Sequence, residues 1–216
     1  MPTNRRTPTV LILFFGLVAA AGLLPAQAQT DAADPPPPPP PETETEAAST
    51  PRDTPQAVFD AAQSAFNARD WNAFVALVSP PRRDQLVGQT ALVLANAAQD
   101  PEADPRMIEL AQRYVPRDVD PMQLMLGSDD PKAEAERLGK RIGRPAEFYA
   151  AATKLFFDLQ YPDPDTAPQI TGLTELALGE DGRSATSQVV LRRPNGEAQD
   201  TWTYELHDGQ WYLSMR

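Results

Sequence analysis

Residues 185–215 read ATSQVVLRRPNGEAQDTWTYELHDGQWYLSM, and the alternation in this stretch decides the fold class. Ala185, Ser187, Val189 and Leu191 fall on one side of an extended chain. Trp202, Tyr204 and Leu206 do the same, and so do Trp211, Leu213 and Met215. A strand turns successive side chains to opposite faces, so each run carries one apolar and one polar face. Pro194-Asn195-Gly196 and Asp208-Gly209 separate the runs with residues suited to tight hairpin turns. Working backwards, Gly179-Glu180-Asp181-Gly182 is a further turn and Ile170 to Leu178 a further extended run. Four strands joined by short turns predict an antiparallel meander whose apolar face needs a cover.

The preceding residues supply that cover as helices. Thr54-Pro55 is a helix start, with Thr as N-cap and Pro at the first helical position. Val58, Ala62, Ala65, Phe66 and Arg69 follow at helical spacing, and Phe59 widens the face. Asp70-Trp71 breaks the pattern, Asn72 to Val78 form a short second helix, and Ser79-Pro80-Pro81 closes it. Residues 83–98 form a longer apolar-rich helix. Asp100-Pro101, Asp104-Pro105, Asp120-Pro121 and Asp130-Pro131 then repeat one helix-start device. Helices are expected over 105–114, 121–126 and 131–142, and Pro145 opens a last one through Phe148, Tyr149, Phe156 and Leu159. Segment lengths and apolar patterns differ, so this is no internal repeat. Helices followed by strands define an α+β fold, with helices in the concave face of a four-stranded antiparallel meander.

The N-terminal residues have a different character. Arg5 and Arg6 precede an apolar run from Val10 to Leu24, which ends in Pro25-Ala26-Gln27-Ala28. These are the three parts of a secretory signal cleaved after Ala28. The run is shorter than the roughly 20 residues of a membrane span, so membrane contact is expected only if this segment stays uncleaved. Residues 29–53 hold seven consecutive prolines, Pro35 to Pro41, and then Glu42, Glu44 and Glu46 alternating with Thr43 and Thr45. That composition reads as a disordered, stiff, acidic linker. The layout is a signal peptide over 1–28, a linker over 29–53 and one α+β domain over 54–216, in a secreted or periplasmic protein.

Composition limits the function. The chain contains no cysteine, so disulfides, thiolate metal sites and cysteine nucleophiles are excluded. It has 30 acidic residues, against 17 basic ones once Arg5 and Arg6 leave with the signal, a net charge of −13. Nucleic acid needs a basic patch, so it is not an expected partner. The single histidine, His207, sits at a hairpin turn, away from any expected pocket. There is no Gly-x-Ser-x-Gly elbow and no phosphate-binding glycine loop. Asp100, Glu102 and Asp104, and likewise Asp163 and Asp165, have acidic spacing but lack the glycine and distant glutamate of a calcium loop. No cofactor and no metal are expected.

The remaining candidates lie where the helices meet the sheet. Tyr149 and Phe156 are seven residues apart on one side of the last helix, with Asp158 close by. Trp202, Tyr204 and Trp211 face inward from the strands. An apolar cleft with a few polar groups is the usual form of a ligand site, and a packed core uses the same aromatics.

The stretch Ala57 to Leu86, with its Arg-Asp-Trp corner at 69–71 and a short helix ending in Ser79-Pro80, resembles the opening of nuclear transport factor two-like domains. The ending Asp208-Gly209-Gln210-Trp211-Tyr212-Leu213 resembles their last strand. The resemblance implies a cone, a curved antiparallel sheet around helices, with a cavity at its open end. The family includes ketosteroid-isomerase-like and SnoaL-like enzymes, which use acidic, tyrosine or histidine groups inside the cone, and many non-catalytic binding or dimerisation domains. A helical insert over about 83–142 departs from its compact pattern. The expected function is that of an exported, non-catalytic domain binding a small apolar molecule or an envelope protein, with a homodimer left open. The alternative is a small isomerase- or cyclase-type enzyme using Asp158 or a tyrosine as acid or base.

Overall fold

The computed structural model describes residues 52–121, 124 and 130–214. The signal and almost all of the linker lie outside the described residues, as do Met122, Met125 and Met215. Within the described residues the chain runs through helices and then strands. The helices are α1 (Pro55–Ala68), α2 (Trp71–Ala76), α3 (Pro80–Ala97), α4 (Pro105–Tyr114), α5 (Pro131–Arg141) and α6 (Pro145–Gln160). After a 3-10 turn at Pro164–Thr166 come β1 (Gln169–Leu178), β2 (Ser184–Arg193), β3 (Gly196–His207) and β4 (Gln210–Leu213). All three strand pairings are antiparallel between sequence neighbours. The fold is α+β, with helices packed on a C-terminal meander.

Local chemistry sets most boundaries. Thr54 Oγ1 accepts from Ala57 N at 3.1 Å, Asp104 accepts from Arg106 N, and Asp130 accepts from Lys132 N and Ala133 N. Each cap precedes a proline at the first helical position, where a missing N–H costs nothing. Arg69 ends α1 in the left-handed conformation, and Asp70 caps α2 by accepting from Ala73 N. One boundary differs from expectation. Ser79-Pro80-Pro81 does not close α2; Ser79 is the N-cap of α3 and both prolines open that helix. Prolines after a helix and prolines starting the next look identical in a sequence when the connection is this short. At the β3–β4 hairpin Asp208 and Gly209 both take positive φ, 51° and 78°, as a two-residue primed turn requires.

The core has two parts with opposite packing. Between α1, α2, α6 and the sheet it is aromatic. Phe66 meets Trp71, Phe74 and Phe157 edge-on, with ring centroids 5.6–5.9 Å apart, and Phe59 and Phe74 both meet Trp202. Between α3 and α5 it is made by leaving side chains out. A Cβ on Gly88 would stand 1.6 Å from the Ala135 carbonyl oxygen, and one on Gly139 would stand 1.9 Å from that of Asp84. The two backbones are in contact, so this helix pair, with α4 packed on α3 and α6, forms a tight helical layer.

The two edges of the sheet also differ. On β4, Trp211 N donates to Arg52 O at 2.9 Å, Leu213 N donates to Leu77 O at 2.8 Å, and Leu213 O accepts from Ser79 N at 3.0 Å. That edge is paired. On β1, only the start is capped, by α1: Ile170 N donates to Asn67 Oδ1, and Ile170 O accepts from Asn67 and Gln63. Register shifts follow between Ile170 and Gly172 and between Thr174 and Ala177, with Glu175 at φ 56°.

Candidate functional site

The register of β2 and β3 places Ala185 opposite Tyr204, Ser187 opposite Trp202 and Val189 opposite Asp200. Cross-strand partners share a face. The helix-covered side of these strands therefore carries a polar row, Ser187, Tyr204 and Asp200, around Trp202. Tyr204 and Ser187 are both buried and their hydroxyls lie 2.9 Å apart. Each hydroxyl satisfies the other, which makes the burial tolerable. Burial, with help from the charge of Asp60, pushes the Tyr204 phenol up to about 12, against the opposing hydrogen bond from Ser187.

Asp200 is the ionisable group in this row. Its carboxyl is held above the ordinary carboxylate range by burial, with the Thr201 N–H, the Trp202 indole and the Arg193 charge all pulling the other way. Thr201 N donates to Oδ1 at 3.0 Å. Asp200 Oδ2 and Trp202 Nε1 are both enclosed and neither completes a hydrogen bond of normal geometry, although the indole still acts on the carboxyl. Arg193 extends the β2 side of the row, and its charge reaches Tyr161 at the end of α6, whose phenol burial raises. Asp200 is absent from the residues singled out by sequence. The signal was available: it has the same parity as Trp202 and Tyr204 in β3. An acid in an apolar stripe reads as a strand end until the register is known.

The six residues expected at a ligand site have these surroundings. Trp202 packs on Phe59 and Phe74, and Tyr204 on Ser187. Trp211 is buried at the closed β4 edge, opposite Leu206. Tyr149 is buried on α6 toward the start of α3; burial raises its phenol and the Arg82 charge opposes the rise. Phe156 is buried on the same helix. Asp158 is half-buried at the helix surface in a 2.6 Å ion pair with Lys154, one turn away. That is an ordinary i,i+4 helix pair, and the carboxylate facing the sheet interior is Asp200 instead.

Other polar groups hold α4 against α6. Tyr114 of α4 donates to Glu147 of α6, and Arg144 reaches the same carboxylate at 2.8 Å. Arg113 and Arg144 stand over the Tyr114 ring at 5.1 and 5.7 Å. His207 lies 3.5 Å from Asp208 at the hairpin, with its side chain 43% exposed. Among the described residues, no three His, Asp or Glu side chains gather to hold a metal, and no helix is long and apolar enough to cross a membrane.

No protein-family model matches the chain, and no curated protein or solved structure is significantly similar to it.

Proposed function

We propose that the protein is an exported, non-catalytic interaction module of a bacterial cell envelope: a nuclear transport factor two-like domain, secreted or periplasmic, carried on an acidic proline-rich spacer. The observation that carries this reading is that the face of the sheet turned toward the helices is filled by the domain's own rings. Phe59 and Phe74 close on Trp202, and Phe66, Trp71 and Phe157 continue the packing. A sheet face packed in this way keeps its recognition for the outside. Signal-like residues 1–28 and the composition of 29–53 support the export and the spacer.

Native mass spectrometry of the protein purified from its producing cells tests the reading. A bare polypeptide mass, or a mass with a second polypeptide, agrees with it. A stoichiometric small molecule overturns it in favour of a ligand carrier or an enzyme. A second reading, a small isomerase- or cyclase-type enzyme, draws its support from Asp200, a carboxyl of raised pKa on the inner face beside Trp202. Under that reading the bound molecule is lost in Asp200→Asn and kept in Asp158→Asn.

A further inference from the structure

We infer that the second half of β1, Thr174 to Leu178, is a docking edge for an extended, basic polypeptide segment that adds to the sheet beside β1. The inference rests on the interaction-module reading and names its partner class. Leu176 and Leu178 are the exposed large apolar residues of the described chain, at 36% and 64% exposure, and both lie in this segment. Thr174, Glu175 and Ala177 between and beside them are exposed as well. Among the described residues the edge has no partner here: β1 pairs with β2 on one side only, and the Asn67 and Gln63 clamp stops at Ile170. An open edge with exposed leucines is a ready template for another strand.

Charge selects the occupant. Glu175 lies within the segment, and Glu180 and Asp181 follow it at the turn, all exposed, with Arg183 as the one cation in this stretch. A second copy would bring the same acids against themselves on a chain of net charge −11. An extended segment bearing lysine or arginine between apolar residues meets complementary charge instead. The bulge at Glu175 limits the addition to a short segment.

The test uses the full chain and a capped heptapeptide alternating lysine and valine, with a glutamate-for-lysine peptide as control. Binding is followed by calorimetry at two salt concentrations, and the edge by hydrogen exchange. The expected result is saturable binding that salt weakens, slower exchange over 173–178, and a loss of about tenfold or more in Leu176→Lys/Leu178→Lys. Because both leucines are exposed, that double variant keeps the fold, which a melting curve checks. No binding, binding without slowed exchange at β1, or equal binding by the glutamate peptide overturns the inference. So does a concentration-dependent dimer that protects the same amides without peptide, since the edge then belongs to a second copy. If the edge fails while native mass spectra show no bound small molecule, only strand addition falls. A stoichiometric small molecule in those spectra removes the interaction-module reading itself.

Discussion

The aromatic layer under the sheet and the glycine seam between α3 and α5 are both closely packed and reach that state by opposite means. The first fills space with rings: Trp71 lies among Phe66, Phe74 and Phe157, the last at a centroid distance of 4.9 Å. The second removes side chains until carbonyl oxygens touch the helix opposite. Interiors at crystal-like density tolerate neither voids nor added atoms. The aromatic layer is therefore sensitive to losing atoms, and the seam to gaining them.

The comparison is broken most forcefully at Trp71. Trp71→Ala removes the largest ring of the cluster and is expected to cost about 3–5 kcal/mol in a urea melt. A cost under 1 kcal/mol would mean the ring is not a core corner. At the seam, Gly88→Ala raises helix propensity by about 1 kcal/mol yet places a methyl inside the Ala135 carbonyl. Overpacking of this kind costs about 1–3 kcal/mol or more, so a net loss of stability is expected. A stabilised variant would show that α5 stands farther from α3.

A smaller effect separates Asp200 from the other acids. Its folded pKa lies above the unfolded value of about 3.9. The folded state thus holds a proton that the unfolded state releases, and stability falls as pH rises from that value through the folded pKa. Asp200→Asn removes this slope. Relative to the parent, the variant should match it near pH 3 and gain on it as pH rises to 7, as read from urea midpoints. Asp104 and Asp118 have the opposite sign, because Arg106 and Arg141 hold their carboxyls low. A variant that loses ground with rising pH would mean Asp200 is held as a stabilised carboxylate. Last comes His207→Ala. The ring is partly exposed at a turn whose geometry is set by Asp208 and Gly209. Its unfolding free energy should stay within about 0.5 kcal/mol of the parent in a urea melt.

The fold class was legible because its signals are local. Period-2 alternation from residue 185 onward, Asp208-Gly209 at the hairpin and Thr54-Pro55 at the first helix act through neighbouring residues, and any tertiary setting would respect them. The start of α3 was not, since Pro80-Pro81 serves equally to end one helix or to open the next, and only the pairing of Ser79 with Leu213 shows where the chain turns. The aromatic candidates were legible as inward-facing, and the same alternation places Trp202 and Tyr204 on the covered side. Whether such rings line a cleft or fill it depends on what stands opposite. Phe59 and Phe74 come from helices more than a hundred residues away in sequence.

The sequence by itself determined the order of the described elements, the caps other than that of α3, the turns and the acidic charge, all consequences of backbone geometry and composition. Only the tertiary structure decided that Asp200 rather than Asp158 faces the sheet interior, that Gly88 and Gly139 are places of contact, and that among the described residues the β4 edge has a partner while the second half of β1 does not. Each of these depends on strand register or on the approach of residues distant in the chain. Register and approach are set by the packing of the whole domain, where a shift of one residue would turn Asp200 out to solvent.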